Sequence, residues 1–191
     1  PESDSPPSSG WTRDSIMEAV QLPDELTVSE KQRFHQNLFD VRDVMSTGSD
    51  DVGCAAGVTA HHIELYHDIP IYRRPRRFPA PISEEIERQC AELHNLGIIE
   101  PSASAYCSPI VPIRKTDGSM RLCVDYRDLN KATKPDKFPI PNLTDSVYGL
   151  SGVKYFTKLD MVRGYYQVPL HEDSKDYTAF STPHGQWRFN R

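Results

Sequence analysis

Apolar positions along this chain follow helical spacing in two places and strand spacing in several others. Phe34, Leu38, Val41 and Met45 recur every three or four residues, which lines one face of a helix. Thr27-Val28-Ser29-Glu30 just ahead has the form of a capping box, in which the Thr hydroxyl and the Glu carboxylate satisfy amides left unpaired at a helix start. That helix is expected to run to about Ser46, with Gly48 ending it. A second helix is predicted from Ile82 to Leu96, with Ile86, Cys90, Leu93 and Leu96 on its core face. Ser83 is its expected cap; Glu84, Glu85 and Glu87 suit the positive end of the helix dipole, and Gly97 stops it.

The strand-like runs come later. Ile110–Ile113 and Arg121–Tyr126 flank an Asp117-Gly118 tip and predict a hairpin. Val153, Tyr155, Phe156 and Leu159 suit a buried strand that ends on Asp160, whose carboxylate would then point into a cleft. Gly164 permits a tight turn, and Gln167-Val168-Pro169-Leu170 alternates as a following strand, with Pro169 tolerable near its end. Glu172 to Tyr177 reads as a polar helix or turn, and Thr178–Thr182 with Gln186–Phe189 as a final hairpin around Pro183-His184-Gly185. Pro1 to Gly10 contains residues that bury little and is expected to be a tail or linker.

Composition changes this picture in three respects. The 191 residues suffice for one globular domain, yet the first is Pro1 and not Met, which points to processing or to a piece of something larger. No apolar run reaches the roughly 20 residues that span a bilayer and no signal-peptide series is present, so a soluble, intracellular and cytoplasmic protein with no membrane partner is expected. The four cysteines, Cys54, Cys90, Cys107 and Cys123, form no C-x-x-C pair and read as reduced thiols. His61-His62 with Glu64 lacks a zinc-protease spacing and reads as structural.

Net charge is −5, unpromising for a protein that grips phosphates, but it is unevenly spread. Residues 1–60 carry 4 Lys+Arg against 11 Asp+Glu, and residues 61–191 carry 18 against 16. The chain therefore divides into an acidic N-terminal linker with an amphipathic helix, 1–60, and a mildly basic body, 61–191. Arg73, Arg74, Arg76 and Arg77 form the densest cationic strip, kept extended by Pro75 and Pro79. It reads either as a strip for a nucleic-acid backbone or as an ordinary solvated charge run.

Four blocks in order resemble the reverse transcriptases of gypsy-type long-terminal-repeat retrotransposons: GIIEPSASAYCSPIVPIRKTDGSMRLCVDYRDLN from Gly97, FPIPNLTDSVYGLSG from Phe138, YFTKLDMVRGYYQVPL from Tyr155, and DYTAFSTPHGQWRF from Asp176. The resemblance spans Ile63 to Arg191. It implies an α+β, right-hand polymerase fold: fingers and the first part of the palm, preceded by a helical linker and entered by a strand at His61 to Leu65. It also implies templated addition of deoxynucleotides, with Asp160 as catalytic residue and ligand to two Mg2+ ions. Lys115 and Arg121 match the cations that meet the incoming triphosphate. Met161, Val162, Arg163 and Gly164 complete the nucleotide-binding run to Tyr165, whose ring would lie against the sugar and exclude a 2′-hydroxyl. Packing of Tyr165 and Tyr166 beneath a helix is the alternative. Arg127 and Asp128 are expected to hold the hairpin base by ion pairing.

The implied partners are an RNA or DNA template with its primer, deoxynucleoside triphosphates, and the protease, ribonuclease H and integrase parts of a Pol polyprotein. Ala105, Cys107 and Pro112 depart from the family's pattern, and Pro112 is expected to weaken the fingers strand. The family's second carboxylate motif, an aromatic-x-Asp-Asp turn, occurs nowhere in the sequence. A non-catalytic nucleic-acid-binding or interaction remnant is therefore the competing reading, and the chain as it stands is expected to be inactive.

Overall fold

The capping box at Thr27 closes in the expected way. Thr27 Oγ1 accepts from the Glu30 amide at 3.3 Å, while the Thr27 amide donates to Glu30 Oε2 at 2.8 Å. In this computed structural model, which describes residues 10–48, 51–55 and 57–191, two helices form near the N-terminus. These are α1 (Arg13–Ala19), which the sequence reading did not anticipate, and α2 (Val28–Asp40). Contacts group Pro1–Cys54 and Val162–Gly164 in one unit, and Ala55–Met161 and Tyr165–Arg191 in another. In the first unit Ile16 is fully buried, and the Arg13 and Arg42 guanidinium groups each lie 4.4 Å from the Phe39 ring. α2 stops at Asp40 rather than near Ser46. Val41 leaves helical geometry (φ −106°, ψ 14°), and Arg42 Nη1 donates to the Phe39 carbonyl at 2.9 Å. The expected tail at Pro1–Gly10 lies, apart from Gly10, outside the described residues.

In the second unit α3 (Ala80–Asn95) begins before the predicted cap. Pro79 is its N-cap residue and Pro81 sits in the first turn, where a missing N–H costs nothing. Ser83 consequently lies inside the helix, and its hydroxyl donates to the Phe78 carbonyl at 3.4 Å. Ile86, Cys90 and Leu93 are buried as read, and burial pushes the Cys90 thiol up to about 12. Gly97 ends the helix at φ 66°, while Ile98 donates to the Leu93 carbonyl at 2.9 Å, a Schellman-type stop.

One mixed sheet receives α3. Its strands are β1 (Ile99–Pro101), β2 (Ser108–Arg114), β3 (Met120–Val124), β4 (Phe180–Thr182) and β5 (Gly185–Phe189), in spatial order β1-β5-β4-β2-β3. β2 and β4 run parallel; all other pairs are antiparallel. Both predicted hairpins form. β2 pairs with β4 only at Ser108 and Pro109, so beyond Ile110 its second edge is open and Pro112 is held opposite Leu122 without breaking the strand. Helices α4 (Arg127–Ala132), α5 (Leu143–Tyr148) and α6 (Glu172–Lys175) fill the connections. Phe180, Ile98, Ile99, Ile110 and Cys107 form the core with the buried face of α3. No helix among the described residues is long and apolar enough to cross a membrane, and the four cysteines are free.

Three strand expectations are corrected. Val153 to Leu159 forms no strand and is exposed, with Phe156 at 65% and Leu159 at 86%. A strand needs a neighbour to take its N–H and C=O groups, and no described strand pairs with this run. Gln167 to Leu170 is likewise not a strand: Gly164–Gln167 is a 3-10 helix, and only Leu170 makes an isolated parallel bridge, to His61. The His61–Leu65 strand reduces to isolated bridges at its two ends, His61 to Leu170 and Leu65 to Thr133.

Arg188 fastens β5 to its surroundings. Its guanidinium reaches Glu100 on β1 at 2.6 Å, Asp176 at 2.8 Å and Glu172 at 3.5 Å, and the hydrogen bonds to Asp176 and Glu100 hold the arginine's pKa above its usual value. With the side chain 24% exposed, the network should be worth more than a solvated pair. Arg188→Met is expected to cost about 1–2 kcal/mol and to lower the melting temperature by about 2–8 °C. Circular dichroism melting checks this; an unchanged midpoint would show the network to be cosmetic.

Candidate nucleotide and nucleic-acid site

The β2–β3 hairpin carries three exposed cations, Arg114, Lys115 and Arg121, and holds the last two on a stiff frame. Gly118 adopts φ 83°, the Gly118 amide donates to the Lys115 carbonyl at 3.0 Å, and the Lys115 amide donates to Ser119 O at 2.8 Å. Asp117 Oδ1 accepts from the Ser119 amide at 2.8 Å and its hydroxyl at 2.6 Å, bonds that hold the Asp117 carboxyl below its ordinary pKa. Lys115 thus has a fixed backbone and an exposed ammonium; Arg121, paired with Ile113 in β3, is also exposed. Behind them Gln89 of α3 donates to the Met120 carbonyl at 2.8 Å and accepts from the Leu122 amide at 3.1 Å. Sequence reading missed this anchor. The only trace was its i,i+4 spacing from Glu85, to which Gln89 also donates.

A cavity of about 720 Å³ lies at the base of the same hairpin, lined by Arg73, Arg76, Pro109, Asp125, Arg127, Asp128, Asn130 and Lys131. Arg127 pairs with Asp125 at 2.6 Å, holding that carboxyl down at about 2, and Arg73 pairs with Asp128 at 2.6 Å. The expected structural role of Arg127 and Asp128 is therefore seen. Both also line the cavity, which sequence reading did not foresee. Four cations against two carboxylates leave this cleft with a positive surplus. Of the arginine strip, Arg73 and Arg76 face the cleft; Arg74 and Arg77 are exposed and line neither it nor the adjoining 380 Å³ cavity beside Tyr72.

Asp160 stands elsewhere, in irregular chain. It is exposed and lines neither of these two cavities. The left-handed residue of the following turn is Arg163, at φ 47°, not Gly164, which opens the 3-10 helix. Met161 is 62% exposed, while Val162, Arg163 and Gly164 are half-buried. The two tyrosines part company: Tyr165 is 92% exposed, whereas Tyr166 stacks on Phe189 with ring centroids 5.9 Å apart. Among the described residues, no cluster of three metal-ligating side chains includes Asp160.

Comparison with known proteins gives a consistent answer. The family described as reverse transcriptase (RNA-dependent DNA polymerase) matches residues 113–190. The retrovirus-related Pol polyprotein from transposon 412 of Drosophila melanogaster is 41% identical over 135 residues, 68% of this chain and 11% of that protein. The corresponding polyprotein from transposon gypsy of the same fly is 32% identical over 178 residues, 90% of this chain and 17% of that protein. The chain thus spans under a fifth of these curated relatives. Among solved structures, a prototype foamy virus protease–reverse transcriptase superposes on 94% of this chain and 24% of that one, with a TM-score of 0.75 at 22% identity. A foamy viral protease–reverse transcriptase in complex with an RNA/DNA hybrid gives a TM-score of 0.70 at 19% identity, over 94% of this chain and 24% of that one. With its mixed α+β reverse-transcriptase fold, this chain belongs to the reverse transcriptase family, as part of a gypsy-like retrotransposon Pol polyprotein.

Proposed function

We propose that the chain supplies the fingers and the first part of the palm to an RNA-directed DNA polymerase that adds deoxynucleotides to a primer 3′-hydroxyl. Residues 61–191 form that part and residues 1–60 the linker ahead of it. The observation that carries this reading is the hairpin with Lys115 and Arg121, two exposed cations on a frame locked by Gln89 and by its own turn. Phosphoryl transfer asks a protein mainly for positioning and charge neutralisation, and a triphosphate needs preorganised cations as charge develops on the leaving pyrophosphate. The cationic cleft of Arg73, Arg76, Arg127 and Lys131 suits a template or primer backbone. Related foamy viral proteins have been solved with double-stranded DNA and with an RNA/DNA hybrid, which supports the same class of partner here. The protease, ribonuclease H and integrase parts of the polyprotein complete the partners, within cytoplasmic retroelement particles.

The residues of this chain do not by themselves fit a two-metal centre. Two Mg2+ ions about 3.5–4 Å apart require several oxygen ligands, whereas Asp160 brings one carboxylate. In the proposal Asp160 contributes one of those ligands within the polyprotein. The 191-residue polypeptide alone is expected to be inactive. Extension of a labelled oligo(dT) primer on poly(rA) measures both halves of the reading. The polyprotein should extend the primer and the isolated chain should stay at the level of a protein-free blank; a polyprotein that binds template–primer but extends nothing favours the non-catalytic remnant.

A further inference from the structure

The backbone of the strap ahead of the arginine strip is tied down at one point far away in sequence. The His61 amide donates to the Pro169 carbonyl at 2.8 Å, and the His171 amide donates to the His61 carbonyl at 2.9 Å. The Ile63 amide donates to Oγ of the fully buried Ser174 at 2.9 Å. These bonds bring the His62 and His171 rings edge to face, with centroids 5.3 Å apart and planes at 71°. Asp173, in the first turn of α6, places a carboxylate oxygen 3.6 Å from His171 Nδ1, and its amide lies 3.4 Å from the same nitrogen. One ring nitrogen of each histidine and one oxygen of Asp173 all lie within 4.8 Å of one another.

We propose that His62, His171 and Asp173 form a binding site for a zinc-like divalent ion, separate from the polymerase chemistry and independent of it. Two imidazoles and one carboxylate are a donor set for Zn2+ and its neighbours, whereas Mg2+ prefers oxygen alone and keeps its waters. A tetrahedral ion with bonds of roughly 2.0–2.1 Å holds its ligands about 3.4 Å apart. All three side chains are exposed, so small rotations bring 4.8 Å to that spacing without disturbing the core. Water takes the fourth position.

The sequence around His61-His62 and Glu64 reads as structural because it lacks a zinc-protease spacing. In the fold Glu64 reaches Lys134 at 3.4 Å, and His62 instead meets partners more than a hundred residues away. Bound there, the ion is a clip that fastens the strap to α6. Further along, the strap is held by the Leu65–Thr133 and Tyr72–Cys107 bridges and then delivers Arg73 and Arg76 to the cationic cleft. The clip thus secures the segment that leads to those arginines.

The test uses the untagged 191-residue chain, stripped with a chelator and titrated with Zn2+ by calorimetry and with Co2+ by visible absorption. One equivalent of Zn2+ should bind, Co2+ should show a tetrahedral or five-coordinate spectrum without a thiolate charge-transfer band, and Mg2+ should not compete. His62→Ala and Asp173→Ala should each weaken Zn2+ binding by more than about 10-fold, the lower end of what loss of even an outer-shell partner costs. His171→Asn should do the same while keeping the α6 cap, because Asn is a good N-cap residue. His184→Ala should leave binding unchanged. Zn2+ should raise the melting temperature of the parent chain and not of the His62 variant. Equal Zn2+ affinity in the parent and in folded His62→Ala and His171→Asn, absence of Zn2+ binding to the parent, or a thiolate band with Co2+ would each overturn the proposal.

Discussion

Asp160→Asn in the Pol polyprotein should reduce deoxynucleotide incorporation by at least about 10²–10³-fold, the cost typical of removing one group aimed at developing charge. Asn has nearly the shape of Asp but not its charge, so the loss would be one of electrostatics and metal ligation. Asp160 is the only carboxylate between Asp145 and Glu172, a stretch that also carries Lys154, Lys158 and Arg163, so the exchange removes its sole negative focus. Being exposed and outside both cavities, the side chain supports no core packing, and folding should be unaffected. Template–primer affinity should change little, because the cations proposed to hold phosphates lie in the cleft and the hairpin. The experiment is single-nucleotide incorporation alongside a filter-binding measurement. Equal turnover for variant and parent would remove Asp160 from the chemistry.

Tyr165→Ala, again in the polyprotein, should raise the use of ribonucleotides relative to deoxynucleotides by about 5- to 150-fold. That range corresponds to a steric clash of roughly 1–3 kcal/mol relieved when the ring is removed. The neighbouring tyrosine supplies the control. Tyr165 is 92% exposed and can be truncated without leaving a hole, whereas Tyr166 stacks on Phe189 of β5. Tyr166→Ala should therefore lower the melting temperature and both activities together, leaving the ratio unchanged. A folded Tyr165→Ala protein with the parental ratio would show that this ring does not gate the sugar.

Elements whose sequence carries its own hydrogen-bonding solution were legible. The Thr27 box, the Gly97 stop and the Asp117-Gly118 hairpin are closed by residues within a few positions of one another, so local chemistry dictates them. The start of α3 is less legible: Ser83 has the chemistry of a cap, yet the helix begins at Ala80, because Pro in the first helical turn needs no N–H. The run before Asp160 failed for a different reason. Val153, Tyr155, Phe156 and Leu159 have a strand's composition, but strand formation is a property of pairs, and composition says nothing about whether a partner is present. The candidate residues were likewise legible as chemistry and not as arrangement. Two cations on a hairpin can be read directly. That Arg73 and Asp128 meet across a cleft, or that His62 meets His171, depends on contacts remote in sequence.

The central proposal is that Lys115, Arg121, Asp160 and Tyr165 serve one incoming nucleotide. Hydrogen exchange on the polyprotein, bound to a template with a dideoxy-terminated primer, tests it without requiring turnover. Adding the deoxynucleoside triphosphate that pairs with the next template base should slow exchange in residues 113–121 and in residues 160–167 together, and a mispaired triphosphate should slow neither. Protection of one segment without the other, or equal protection by matched and mispaired triphosphates, would contradict a shared nucleotide site.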